Sequence, residues 1–174
     1  YSLLCRQFDT DWAELSLIED MPLLAFSPLA VGLLSGKYAG DVTPENTRRM
    51  HTPDLGGRIT ASVFPAVAAY LGIAARHGLD PCQMAIAFCR SRPFRTIPII
   101  GATSLDQLRT NLGAASVTLA PEVMAEIAGL TPTFAGVSFA RLEAAGSLQW
   151  PVNAAAPDGS PIMHEAGFVR GKGK

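Results

Sequence analysis

Two stretches of this chain combine residues that can hold a planar, phosphate-bearing ligand. The first is "LLAFSPLAVGLLSGKY", residues 23–38. An apolar run ends in Phe26 and Ser27, then breaks into Pro28, Gly32 and Gly36 before reaching Lys37. The Phe26 ring can stack on a flat cofactor. Ser27 and the amides near Gly32 and Leu34 can meet phosphate oxygens, because glycine lets the backbone come close. Lys37 can add positive charge. The second stretch is "TIPIIGATSLDQLRTNL", residues 96–112. There an apolar run leads through Gly101 into a helix start, whose N–H groups favour an anion. Bland readings stand beside these. Phe26 can be core packing, Ser-Pro with glycines is common turn chemistry, and Lys37 can be a solvated surface lysine.

Other reactive residue types point nowhere in particular. Cys5, Cys82 and Cys89 form no Cys-x-x-Cys pair and read as reduced thiols. Cys82 and Cys89 share a helical face, but no suitably spaced histidine joins them. His51, His77 and His164 lie far apart, so no metal site is expected.

The elements that position the two stretches follow from spacing and punctuation. "YSLLCR" reads as a buried strand or the end of one. "DTDWAELSLIEDM" sets Trp12, Leu15 and Ile18 at helical spacing. "PLLAFSPL" is continuously apolar, which predicts a parallel strand covered on both faces. Residues 39–60 predict a long loop, of a kind that is usually functional or mobile. "ASVFPAVAAYLGIAARHG" predicts a helix with Gly78 just past its end. In "LDPCQMAIAFCRSRP", Asp80 is the expected cap, Pro81 the first helical residue and Gln83 the partner in a capping box. "FRTIPIIGAT" is the next strand. A helix capped by Thr103 or Ser104 follows, and then "LAPEVMAEIAGL". Strands alternating with helices predict a parallel sheet in an α/β fold, with ligand at the carboxyl ends of the strands.

Composition bounds the rest. The chain has 174 residues, 48% hydrophobic and 17% charged, with a formal net charge of -1. It can bury a core, and it lacks the basic excess of a general nucleic-acid binder. No apolar run reaches the roughly 18 to 20 residues that span a bilayer, and no signal peptide opens the chain, so a cytoplasmic location is expected. The first residue is Tyr1 rather than methionine, which suggests a piece of something longer.

"LLAFSPLAVGLLSGKY" followed by "IPIIGATSLDQLRTNL" resembles the C-terminal half of the aldo-keto reductases, from Tyr1 to about residue 130. The resemblance implies the last three strands of a (β/α)8 TIM barrel with their helices: "YSLLCR" the sixth, "LLAFSPLA" the seventh and "TIPIIGATS" the eighth. It implies an NADP(H) site in which Phe26 stacks on the nicotinamide and Ser27, Leu29, Gly32, Leu34 and Lys37 fold over the pyrophosphate. Gly101, Thr103, Gln107 and Asn111 hold the adenosine end. Many relatives carry a basic residue where Thr103 stands, so the choice between NADPH and NADH stays open. Arg48, Arg49, Arg58 and Arg109 are alternative sources of charge. The family's catalytic Asp, Tyr, Lys and His motifs belong to earlier strands, and Tyr1, Tyr38 and Tyr70 do not sit in that context. No catalytic residue is therefore assigned.

The remaining residues, 131–174, read as an irregular appended segment or tail. "GVSFARLEAAGSLQWPVN" is similar to a segment of molybdopterin-dependent formate dehydrogenase catalytic subunits. The two resemblances meet near Glu126 to Leu130. The sequence thus predicts the cofactor-binding part of a reductase acting on small carbonyl substrates, inactive alone. The alternative is a non-catalytic chimera fused to a formate dehydrogenase segment.

Overall fold

The computed structural model describes residues 1–134. The irregular extension expected beyond them lies outside the described residues. Helices α1 (Gln7–Asp11) and α2 (Ala13–Ile18) precede strand β1 (Leu23–Phe26). The short helix α3 (Arg48–His51) follows, then α4 (Val63–Arg76) and α5 (Pro81–Arg90). Strand β2 (Thr96–Ile99) leads into α6 (Leu105–Gly113) and α7 (Pro121–Phe134). The boundary expected near residue 130 falls inside α7.

β1 and β2 form a two-stranded parallel sheet in the register Leu23↔Thr96 to Phe26↔Ile99. "YSLLCR" is not a third strand. Ser2 and Cys5 bond each other's backbone at 3.0 and 3.1 Å, which closes a turn. Instead of one helix, "DTDWAELSLIEDM" gives two short ones, broken where Trp12 leaves helical geometry (φ −125°, ψ −9°). Trp12, Leu15 and Ile18 are all exposed.

Local punctuation works largely as the residue types dictate. The Asp80 carboxylate accepts from the Gln83 amide at 2.9 Å, with Pro81 at the first helical position. The Gln83 side chain does not close a capping box. It donates to the Thr110 carbonyl at 3.2 Å and ties α5 to α6. Past α4, Gly78 takes a φ of +63°, Gly78 N–H bonds Ala75 C=O and Leu79 N–H reaches back to Ala74 C=O. This is a Schellman motif, which needs the left-handed conformation at Gly78.

One face of the sheet meets the core. Ala25 is fully buried, with Leu33, Tyr70, Met84 and Phe88 in the same core. The other face, which carries Leu24, Phe26, Ile97 and Ile99, is exposed. The expected cover on both faces is therefore present on only one among the described residues. Within residues 39–60, Arg49 makes several ties. Arg49 pairs with Asp41, donates to the carbonyls of Val42 (2.8 Å) and Pro53 (3.3 Å), and lies over the Phe64 ring of α4.

Candidate functional site

Because β1 and β2 are parallel neighbours, both following loops leave from one end of the sheet. Phe26 lies opposite Ile99, so the segments after them start side by side. Phe26 is 61% exposed, so it does not pack into the core of the described residues.

The loop after β1 is strained. Ser27, Ala30 and Val31 have φ values of +55°, +48° and +54°, and Gly32 has +97°. A β-branched residue such as Val31 rarely takes this conformation, and such strain persists only where the surroundings enforce it. Part of the enforcement is the Leu29 carbonyl, which accepts from the Gly32 amide (2.9 Å) and the Leu34 amide (3.2 Å). The amides expected to meet phosphate at Gly32 and Leu34 are thus used within the loop. The Leu34 side chain is buried and Leu29 packs against the core, so these two residues anchor the turn. Lys37 folds back over Gly32, where an added Cβ would sit 2.7 Å from Lys37 Cε. Its ammonium lies 5.0 Å from the centre of the Tyr38 ring.

The loop after β2 is held by its own helix. Ser104, rather than Thr103, caps α6 and accepts from the Gln107 amide at 3.2 Å. The Gln107 side-chain oxygen accepts from the Thr103 amide (3.0 Å) and hydroxyl (3.1 Å). Asn111, largely buried, donates to the Gly101 carbonyl at 3.2 Å. Gln107 and Asn111 therefore fix the shape of the 101–104 segment. Of the basic candidates, Arg109 pairs with the exposed Asp106 (3.1 Å) and Arg58 donates to the Leu55 carbonyl at 3.2 Å. Arg49 is engaged in its clamp.

The three tyrosines are core residues. Tyr1 donates to Asp9 at 2.6 Å and Tyr70 to the Leu3 carbonyl at 3.2 Å. Burial pushes the Tyr70 phenol up to about 12. Burial, with the Asp9 carboxylate beside it, pushes the Tyr1 phenol up as well. Neither Tyr1 nor Tyr70 is suited to give up a proton to a ligand near neutral pH. Burial also raises the Cys82 thiol to about 11 and the Cys89 thiol to about 12. Among the described residues no group of His, Cys, Asp or Glu could hold a metal ion. None of their helices is long and apolar enough to cross a membrane.

Sequence reasoning missed the left-handed run at Ser27, Ala30 and Val31, where only Gly32 gave a signal. It also missed a cluster at the chain start, in which Arg6 (2.7 Å) and Arg92 (3.2 Å) both pair with Asp9. Their guanidinium groups lie over Phe88. This cluster holds the turn at Tyr1 beside β1.

Adjacent parallel strands, a strained glycine loop after one and a capped helix after the other agree with the family comparison. The sequence model of the aldo/keto reductase family matches residues 1–131. The chain belongs to the aldo/keto reductase family. It is 44% identical over 127 residues to Protein tas of Escherichia coli, covering 73% of this chain and 37% of that protein. It is 32% identical over 124 residues to an uncharacterized oxidoreductase of Mycobacterium tuberculosis, covering 71% and 38%. The chain thus spans little more than a third of the length of these relatives. A Staphylococcus aureus protein named as a formate dehydrogenase is 54% identical over 55 residues, covering 30% of this chain and 5% of that protein. Thirty per cent of 174 residues is about 52, so that stretch begins no later than about residue 123. It therefore shares residues with the aldo/keto reductase match.

Proposed function

We propose that residues 1–130 form the NADP(H)-binding portion of an oxidoreductase that reduces small aldehydes or ketones, as the last part of a (β/α)8 barrel. The supporting observation is the register Phe26↔Ile99, which starts both loops at one rim of the sheet. The residues present fit the cofactor. An exposed flat ring ends β1, a strained glycine-bearing loop with a lysine over it follows, and a capped helix N-terminus stands next to it. Phe26 would lie against the nicotinamide. Ser27 and Lys37 would approach the pyrophosphate, with Leu29, Gly32 and Leu34 shaping the turn. Gly101 and Thr103 would border the adenosine end, with Gln107 and Asn111 holding their segment in place. The bound cofactor supplies the hydride. The proton for the carbonyl oxygen comes from groups outside these residues, so the chain alone turns over no carbonyl substrate.

Fluorescence titration of the purified chain with NADPH, and separately with NADH, tests this reading. Saturable binding is expected. A flat response to both nucleotides overturns the cofactor role.

A second reading concerns the chain as a whole and is favoured by the match to the formate dehydrogenase-named protein. In it, residues 131–174 are a segment of that kind joined to the reductase portion at α7, and the product is non-catalytic. Sequencing the DNA on both sides separates the two. Barrel motifs with the Asp, Tyr, Lys and His residues upstream support the reductase. A reading frame that continues downstream into a large cofactor domain supports the fusion.

A further inference from the structure

Helix α5 holds the far end of α6 by hydrogen bonds at both of its own ends. In its first turn, the Gln83 side-chain nitrogen donates to the Thr110 carbonyl at 3.2 Å. In its last turn, Arg90 Nη1 donates to the Ala114 carbonyl at 2.8 Å and to the Ala115 carbonyl at 3.0 Å. The Thr110 carbonyl lies outside the regular helical ladder, because the Ala114 N–H bonds the Asn111 carbonyl instead. Gly113 makes room for the Gln83 side chain. Its φ and ψ of −56° and −27° are ordinary helical values, so backbone freedom is not the reason for a glycine there. An added Cβ would overlap the Gln83 side-chain nitrogen and sit 3.2 Å from its Cδ. The bond from Gln83 ends one residue from Asn111, which is largely buried and whose side chain donates to the Gly101 carbonyl at 3.2 Å. One turn earlier on the same helix, Gln107 holds the Thr103 amide and hydroxyl. A shift or rotation of α6 therefore carries Gly101 and Thr103 with it.

We propose that Gln83 and Gly113, with Arg90 as a second tie, are positioning residues for the adenosine end of the candidate cofactor site. They act through α6. Gln83 fixes Thr110, Asn111 carries that position to Gly101, and Gln107 carries it to Thr103. Apolar packing presses α6 against α5 but has no direction of its own. Hydrogen bonds are directional, so they set where the helix stops. Gln83 and Arg90 stand about two turns apart on α5, which keeps α6 from both sliding and turning. This rests on the cofactor reading above. Its first readout uses no nucleotide, so the two can fail separately.

The test compares the 174-residue chain with Gln83→Glu and Gly113→Ala. Glutamate keeps the stem of Gln83, but as a carboxylate it cannot donate to the Thr110 carbonyl. Alanine at 113 suits a helix better than glycine does, yet it displaces the Gln83 nitrogen. Both variants are expected to speed amide exchange at Thr103 and Gln107 by about three- to tenfold, the worth of one lost hydrogen bond. Ala25 in β1 and Ile86 within α5 change little, which keeps the effect local. Calorimetric titration with ADP, and separately with adenosine 2′,5′-bisphosphate, is expected to show the better ligand weakened by a similar factor in both variants. The urea midpoint of Gly113→Ala stays at or above that of the parent, which separates positioning from folding. Should Gly113→Ala not fold, Gln83→Leu takes its place as the uncharged variant. Unchanged exchange at Thr103 and Gln107 overturns the proposal. So does an affinity loss confined to Gln83→Glu, which would assign the effect to its added charge. Affinity losses that track a falling urea midpoint in both variants overturn it in favour of a folding role. Where exchange responds as expected but neither nucleotide binds the parent chain, the cofactor reading fails and the positioning role fails with it.

Discussion

Phe26 occupies an unusual position for a large aromatic ring, in register with a neighbouring strand and yet mostly open to solvent. Leaving such a ring exposed forgoes about 1.5 to 3 kcal/mol of burial. A stacked ligand recovers that kind of contact. Phe26→Ala is expected to weaken NADPH binding by about 1 to 3 kcal/mol, roughly five- to 150-fold in Kd. An unchanged Kd in fluorescence titration would remove Phe26 from the site. Gly32 is constrained in a different way. Its φ is +97°, and a Cβ there would meet the Lys37 stem at 2.7 Å. Gly32→Ala is expected to cost about 1 to 2 kcal/mol for the left-handed backbone, read as a lower urea midpoint. A wild-type midpoint would show that the loop relaxes freely.

Helix ends supply the next scale. Asp80 satisfies the Gln83 amide at the start of α5, the helix that contacts β2, α4 and α6. Asp80→Ala is expected to lower stability by about 1 kcal/mol, and Asp80→Asn far less. Equal losses in urea unfolding would mean that charge, not capping, is the cause. The contact between α4 and α7 is expected to depend on pH. Hydrogen bonds from Arg76 and His77 hold the Glu126 carboxyl below its ordinary value of 4.5. A carboxyl lowered in the folded state contributes stability above that ordinary value and loses it as pH falls through its folded value. Amide exchange in α7 should therefore quicken as pH drops below 4.5, after correction for intrinsic rates, and Glu126→Gln should abolish the step. The Glu126 side chain is partly open to solvent, so the step is small. A step retained in Glu126→Gln would assign it to another group.

At the scale of the molecule, three elements among the described residues expose large apolar side chains. α2 exposes Leu15, Leu17 and Ile18. The sheet exposes Leu24, Phe26, Ile97 and Ile99, and α6 exposes Leu105, Leu108 and Leu112. The helices before and after the two strands are thus both unfinished on one face. Surfaces of this extent drive association. The chain alone is expected to self-associate with rising concentration in sedimentation velocity, and Ile18→Glu with Leu112→Glu should reduce this. A single monomeric species across the range, or variants that associate as strongly as the parent, would show that these helix faces are not the contact.

Much of the fold was legible wherever the determining interactions are short in sequence. Asp80 before Pro81, Gly78 after Arg76 and Ser104 before Leu105 act over three or four residues, so residue type and spacing were sufficient. The two strands and the two loops of the candidate site were legible for the same reason. The anchoring of the Tyr1 nitrogen and the outward Gln83 side chain were not, because partners remote in sequence decide them: Phe26 for the Tyr1 nitrogen and Thr110 for Gln83.

The chain's own order of residues determined the two paired strands, the caps of α5 and α6, and that glycine, serine and lysine follow an aromatic ring at a strand's end. Only the tertiary structure decided that Phe26 faces Ile99, that Val31 is held left-handed and that one face of the sheet stays open. The physical reason is range. Caps and turns are settled by neighbours along the chain, whereas register, strain and exposure depend on which distant backbone arrives to share a hydrogen bond or cover a side chain.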